Sequence, residues 1–212
     1  MRNSSPKTIL DVLDERYRDY PKTVLKHEDV WQLLAVVMLS AQTTDQQVNK
    51  ASPALFRKYP TVQDMAEAGE KDIQEYVKSL GFYRNKAKNL KNAAKMIVNE
   101  YDGKVPEEMR ELVKLPGVAR KTANIVLYAG YDKVEGIAVD THVKRLSNRL
   151  GWTENKNPDK IERDLMETIP KNIWGKTNHI LVYHGRETCT AKKPSCSKCV
   201  IKDYCPKRGV ET

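Results

Sequence analysis

The chain has 212 residues, and its 37 Lys and Arg exceed its 28 Asp and Glu, so the formal net charge at pH 7 is +9. Its 40% hydrophobic content is typical of globular proteins and excludes fibrous and disordered chains. The longest apolar run, residues 33–39, is much shorter than the roughly 20 residues that span a membrane, and no secretory signal is evident. We therefore expect a cytoplasmic protein with no membrane segment and a preference for anionic partners.

Apolar residues recur at helical spacing along most of the chain, and the alternation typical of strands is nearly absent. Ser5 and Pro6 predict the start of a first helix that ends before Pro21. Asp29 predicts the cap of a second helix, from residue 30 to about residue 40, which is apolar on nearly every face and therefore buried. Further helices are predicted at 44–58, 61–68, 70–79, 84–101, 106–114, 119–130, 139–150, 158–168 and 171–184. The sequence thus predicts an all-α fold.

Proline and glycine separate two of these helices in the segment LPGV, residues 115–118. Gly117 permits a backbone conformation that a Cβ atom would penalise. The N–H groups at the start of the following helix form an anion site, which suits a phosphate. These features indicate a helix–hairpin–helix motif that holds DNA phosphates without reading bases.

Two residues near this hairpin suggest catalysis. Lys121 lies at the start of the helix, where the helix dipole disfavours the ammonium form, and a neutral amine can form a Schiff base with a sugar aldehyde. Asp140 follows about twenty residues later in an apolar setting and can cap the next helix. The alternative is that Lys121 only binds phosphate and Asp140 only caps, and the spacing alone leaves both interpretations open.

All four cysteines lie near the C-terminus with the spacing C-x6-C-x2-C-x5-C, at Cys189, Cys196, Cys199 and Cys205. Clustered cysteines without a secretory signal indicate a metal site more often than disulfides. Zinc modules usually present two close pairs, whereas this chain has one pair and two wider gaps, which would let one loop enclose a larger [4Fe–4S] cluster; zinc and free thiols are the alternatives. Four protein ligands leave no open position for substrate, so we expect the site to hold a loop that presents Lys192 and Lys193 to a phosphate backbone.

The chain resembles the endonuclease III family of helix–hairpin–helix DNA glycosylase/lyases, which remove oxidised pyrimidines. The resemblance covers roughly residues 5–205, and the cysteine spacing is that of the family's cluster loop. Its segments are LSAQTTDQQVNKA (39–51), GFYRNKAKNL (81–90), LPGVARKTAN (115–124), VDTHVKRLSNRLG (139–151) and HGRETCTAKKPSCSKC (184–199).

The resemblance implies a two-lobed helical fold with double-stranded DNA bound in the cleft between the lobes. Residues 23–133 would form a six-helix barrel domain that contains the hairpin. Residues 1–22 and 134–212 would form the cluster-bearing domain, with the cluster loop at 189–205. We expect a monomer that acts at the nucleoid on damaged pyrimidines and abasic sites, after flipping the lesion out of the duplex.

By the same resemblance, Lys121 attacks C1′ of the lesion, Asp140 assists, and β-elimination cuts the strand 3′ to the site. Gln42 would fill the gap that the flipped base leaves, and Phe82 occupies the place of the family's usual Leu wedge. Ala119 replaces the hairpin's usual second glycine, which predicts a weaker phosphate contact. The alternatives are a monofunctional mismatch or alkylated-base glycosylase, which the lysine disfavours, and a DNA-binding module without catalysis.

Overall fold

The computed structural model describes residues 5–210, which contain eleven α-helices, two short 3-10 helices and no strand. The α-helices are α1 Pro6–Tyr17, α2 Val30–Leu39, α3 Asp45–Lys58, α4 Val62–Glu67, α5 Glu70–Val77, α6 Tyr83–Glu100, α7 Met109–Leu112, α8 Arg120–Tyr131, α9 Thr141–Arg149, α10 Pro158–Thr168 and α11 Trp174–Glu187, and the 3-10 helices are Lys171–Ile173 and Cys196–Lys198. The predicted all-α class is confirmed. No helix in the described part of the chain has the length and hydropathy of a membrane span.

Two predicted helices differ from the observed ones. The helix predicted at 106–114 is reduced to Met109–Leu112, because i→i+3 bonds from Lys114 N to Glu111 O and from Leu115 N to Leu112 O tighten its end. The helix predicted at 171–184 begins as a 3-10 turn, and α11 then continues to Glu187, two residues before the first cysteine.

The predicted caps of α1 and α2 are present. Ser5 Oγ accepts a hydrogen bond from Thr8 N at 3.3 Å, and Asp29 Oδ1 accepts one from Gln32 N at 2.7 Å. Such caps satisfy backbone N–H groups that have no partner within the helix, and each contributes about 1 kcal/mol. A single capping residue therefore sufficed to predict the start of each of these two helices.

The chain divides into two compact units, and the segment Thr23–Lys133 is one of them. Its centre is α2, in which every residue from Trp31 to Leu39 is buried. Helices α3, α6 and α8 pack against α2, and α4 and α5 pack against α6. A helix that is apolar on all sides is stable only when neighbours surround it, which explains why this segment forms the core of its unit.

The other unit contains the chain up to Lys22 and from Val134 onward. Helix α11 packs against both α1 and α9 and joins the two ends of the chain. The packed faces are apolar, with Leu13 and Tyr17 on α1, Leu146 on α9 and Ile180 on α11 all fully or almost fully buried. This packing holds the start of the cysteine loop next to α9.

We expect the buried His179 on α11 to make the stability of this unit depend on pH. Burial lowers the pKa of His179 from 6.5 to about 4, and Lys176 and Lys22 also disfavour its protonation, while Asp14 opposes them. The unfolded chain therefore binds a proton that the folded chain does not, so stability is full above pH 6.5 and falls as the pH is lowered toward 4. Between pH 7 and pH 5 we expect a loss on the order of 2 kcal/mol from this group.

The measurement is the thermal unfolding midpoint at pH 7 and pH 5 at one scan rate. The wild-type midpoint should fall by roughly 4–8 °C more than that of His179→Gln between the two pH values. His27→Gln, at an exposed histidine of the other unit, should keep the wild-type slope. Equal slopes for the wild type and His179→Gln would show that His179 does not set this dependence.

Candidate functional site

The hairpin is anchored by two buried apolar residues. Leu115 and Val118 are 2% and 6% exposed, and Val118 N donates to Leu115 O at 3.0 Å. Gly117 lies exposed between them with φ of +81°, in the left-handed region that a side chain disfavours. The turn therefore presents its backbone outward while its flanks stay in the core.

Replacing Gly117 with Ala should damage the hairpin. A Cβ atom there would lie 2.8 Å from Asn89 Nδ2 and 2.9 Å from Asn89 Cβ, in addition to the strain of positive φ. We expect a loss of about 2 kcal/mol in unfolding free energy and weaker binding to duplex DNA, measured by thermal unfolding and by titration of a labelled duplex.

Ala119→Gly is the matched variant for this test. Ala119 has φ of −99° and ψ of 169°, an extended conformation that an L-residue adopts without strain. Its replacement should change the stability by less than about 1 kcal/mol. A Gly117→Ala protein with the stability and affinity of Ala119→Gly would contradict the requirement for glycine at position 117.

Lys121 is the second residue of α8 and is half-buried. Ala119 is the N-cap, and no side chain caps the N-terminus of α8. The backbone N–H of Lys121 therefore remains open to an anion at the positive end of the helix dipole. Within its own unit, the Lys121 Nζ forms no ion pair.

Asp140 is the N-cap of α9 in the other unit, directly after the buried residues Ile137, Ala138 and Val139. Its Oδ1 accepts hydrogen bonds from His142 N and from Val143 N, both at 2.8 Å. Among the described residues of this unit, none donates a hydrogen bond to Oδ2. The cap thus uses Oδ1 of Asp140, and Oδ2 remains able to interact with a substrate.

Gln42, Phe82 and Gly117 line one cavity of about 170 Å³, so the structure brings three of the predicted DNA-binding residues together. Gln42 and Phe82 both have left-handed backbones, with φ of 53° and 57°. The Phe82 side chain is 65% exposed, which is unusual for a large apolar residue. An exposed ring on a constrained backbone has the geometry expected of a group that inserts between bases.

The four cysteines line a second pocket, within the unit that contains α9 and α11. No three His, Cys, Asp or Glu side chains in residues 5–210 are grouped to hold a single metal ion. Burial raises the pKa of the Cys199 and Cys205 thiols, and the neighbouring cysteines add to this. Lys192 and Lys193 lie exposed in the same loop.

The donor set of this pocket suits an iron–sulfur cluster. Arg149 Nη1 donates to Cys189 Sγ at 3.2 Å, and Lys207 N donates to Cys205 Sγ at 3.4 Å. Leucine, isoleucine and valine side chains supply the apolar part of the wall, and its other lining residues include His184, Thr188 and Ser195. Four thiolates with N–H donors in an apolar setting match the known ligation of iron–sulfur clusters, whose positive charge offsets the cost of burying thiolates.

Arginines on α9, which our sequence analysis did not single out, hold the start of the cysteine loop. Arg145 Nη2 donates to Gly185 O at 2.9 Å and to Cys189 O at 3.1 Å. Arg149 donates to the Thr190 carbonyl at 2.7 Å and to the Ala191 carbonyl at 2.9 Å. The sequence feature that could have indicated their role is their i,i+4 spacing on the helix that follows Asp140, because residues with this spacing share one face of a helix.

Comparison with known proteins identifies two regions of the chain. Residues 35–171 match the HhH-GPD superfamily of base excision DNA repair proteins. Residues 189–205 match the iron-sulfur binding domain of endonuclease III. Endonuclease III of Synechocystis sp. is 50% identical over 182 residues, which cover 86% of this chain and 83% of that relative.

Two solved structures are similar over nearly the whole chain. The trapped endonuclease III–DNA covalent intermediate with an estranged adenine has a TM-score of 0.87 and 40% identity, and the match covers 93% of this chain and 92% of that one. A thermostable thymine-DNA glycosylase has a TM-score of 0.80 and 25% identity, with 94% and 93% covered.

Proposed function

The chain belongs to the endonuclease III family of base-excision DNA repair proteins, and we propose that Lys121 is the nucleophile of its reaction. It is a DNA glycosylase with AP lyase activity, acts on DNA and binds a [4Fe–4S] cluster. The observation that carries the assignment of Lys121 is its place in the first, uncapped turn of α8, directly after the hairpin. A backbone anion site beside an amine is suited to a deoxyribose that carries phosphates.

The proposed reaction begins with attack of the neutral Lys121 amine on C1′ of the flipped nucleotide. The C1′–N bond to the base breaks, and the base leaves with the bonding electron pair and takes up a proton. Opening of the sugar ring gives a Schiff base between C1′ and the lysine nitrogen. Loss of a C2′ proton then expels the 3′ phosphate by β-elimination, and water releases the lysine.

Asp140 supports this reaction electrostatically in our proposal. A carboxylate next to the sugar stabilises the positive charge that develops at C1′ and accepts a proton from the attacking nitrogen. The free Oδ2 is the oxygen suited to this role, because Oδ1 is held by two backbone N–H groups. The cap fixes the rotamer, so the carboxylate is oriented before the substrate binds.

We propose oxidised pyrimidines in duplex DNA, and abasic sites, as the substrates. The resemblance of the sequence motifs to the endonuclease III family implies this substrate class, and the exposed Phe82 with Gln42 beside it supports lesion flipping. Gly117 and Ala119 would bind phosphate through the hairpin backbone, and Lys192 and Lys193 would bind it through their charges. Extruding a base costs a few kcal/mol, and residues that fill the gap offset part of it.

We propose that Cys189, Cys196, Cys199 and Cys205 are the cluster ligands. The bound cluster supplies positive charge and crosslinks the loop, and the chain's own residues perform the chemistry. The unit Thr23–Lys133, which contains the seven helices α2 to α8 where six were expected, would be the helical barrel domain, and the other unit would be the cluster-bearing domain. We also propose that the protein acts as a monomer at the nucleoid.

Borohydride trapping tests the proposed function. Reduction during the reaction converts the Schiff base to a stable amine, so duplexes with thymine glycol or an abasic site should give a covalent adduct and a cut strand. Undamaged duplex is the control and should give neither product. Two results together would contradict the assignment and favour a monofunctional glycosylase. The protein would release the base from thymine glycol without an adduct or a cut strand, and it would leave the abasic duplex uncut.

A further inference from the structure

Lys86 is a buried cation in the apolar stripe of α6. Its exposure is 7%, and its neighbours along the stripe are Ala87, Leu90, Ala94 and Ile97, all fully buried. Lysine is almost never buried to this extent unless it is paired. The side chain lines the cavity that also contains Gln42 and Phe82.

The contacts of this ammonium within its unit do not offset its burial. Within the unit, Nζ donates to Thr43 Oγ1, and it forms no ion pair. Burial lowers the pKa of Lys86, with no carboxylate to oppose the shift. Burying a charged group without a counterion is unfavourable, so a hydrophobic residue of similar length should be at least as stable here.

The contacts of Lys86 instead connect the loop that contains Gln42 with the loop that contains Phe82, and both of these residues have left-handed backbones. Its backbone N donates to Phe82 O at 3.1 Å in the first turn of α6. Its Nζ reaches Thr43, whose hydroxyl in turn donates to Ala41 O at 3.4 Å and thereby closes the turn that contains Gln42. One residue therefore couples the backbone at Phe82, through its own backbone N–H, to the turn at Gln42, through its side chain.

These loops also approach each other directly. A Cβ atom on Gly81 would lie 3.5 Å from Gln42 O and 4.0 Å from Thr43 Oγ1. Left-handed residues other than glycine cost energy and persist only where surrounding contacts hold them. The hydrogen bond from Lys86 to Thr43 is the side-chain contact that holds this pair of loops together.

We propose that Lys86 is a positioning residue that sets the relative placement of Gln42 and Phe82 for filling the gap in the duplex. The inference rests on the proposed function, because it assigns Lys86 a role in lesion flipping. Loss of the hydrogen bond between Lys86 and Thr43 should slow the steps that need a distorted duplex, and it should leave the chemistry at Lys121 unchanged. A misplacement of about 1 Å can cost on the order of 100-fold in rate.

The test compares Lys86→Met with the wild type on two substrates. On a duplex with thymine glycol, single-turnover base release should fall about 10- to 100-fold, and the fluorescence rise of a 2-aminopurine opposite the lesion should fall with it. On a single-stranded oligonucleotide with an abasic site, where no duplex is opened, the rate of strand cutting should stay within about twofold.

Thermal unfolding separates this role from a structural one. Because Met removes the buried charge and keeps most of the volume, Lys86→Met should be as stable as the wild type or more stable. Thr43→Val, which removes the acceptor and keeps the shape, should reproduce the duplex defect, and the double variant should be no slower than Lys86→Met. Lys95→Met, at an exposed position of α6, should match the wild type throughout.

Three results would overturn the inference. Lys86→Met could retain wild-type base release and fluorescence on the duplex. It could instead lose activity on both substrates to the same extent together with a lower unfolding midpoint, which would indicate a structural role. A wild-type protein inactive on both substrates would contradict the proposed function itself, and the role of Lys86 with it.

Discussion

Replacing Lys121 with Gln is expected to abolish the borohydride adduct and strand cutting and to slow base release by about 10⁴-fold or more. Glutamine is one atom shorter and can still form hydrogen bonds, but its amide nitrogen is not a nucleophile, so it cannot form the C1′–N bond. Lys121 is half-buried on an uncapped first turn. We therefore expect the unfolding free energy to change by less than about 1 kcal/mol.

The matched control is Lys133→Gln, just after the other end of α8. Lys133 pairs with Glu107 at 2.6 Å on the surface, an interaction worth at most about 1 kcal/mol. This variant should form the adduct at the wild-type rate. An adduct with Lys121→Gln at more than a few per cent of the wild-type yield would mean that another amine is the nucleophile.

The second large effect is expected for Asp140→Asn. Asparagine caps helices about as well as aspartate, so its side-chain oxygen can still accept from His142 N and Val143 N. It loses the negative charge that the proposal assigns to the reaction at C1′. We expect base release to fall about 100- to 1000-fold, with the fold and the cluster content unchanged.

Asp140→Ala separates capping from catalysis. It should lose the same activity as Asp140→Asn and, in addition, about 1 kcal/mol of stability, because the cap of α9 is removed. Single-turnover base release and thermal unfolding of the three proteins measure both effects. If Asp140→Asn retained full activity, Asp140 would be a helix cap only.

The helical fold could be predicted from the sequence because its signals are local. Ser5 and Asp29 mark helix starts through side-chain caps, and the apolar run of α2 requires burial on all sides. The boundaries of α7 and α11 were less accurate, because they depend on tight turns and on packing that a single segment does not encode.

The candidate site was only partly predictable, for a similar reason. Lys121, Asp140 and the cysteines stand out by residue type and spacing, and the structure adds the cap that orients Asp140 and the turn that requires Gly117. The roles of Lys86 and Arg149 depend on contacts with residues more than 40 positions away in the chain. Lys86 did leave one signal, since it is the charged member of an apolar stripe.

Mass spectrometry of the reduced wild-type adduct tests the role of Lys121 most directly. The protein is trapped with borohydride on a thymine-glycol duplex, the DNA is digested, and the peptide that carries the sugar remnant is sequenced. We expect the remnant on the side-chain nitrogen of Lys121 and on no other residue. A remnant on a different amine would contradict the proposal that this lysine bonds to the deoxyribose.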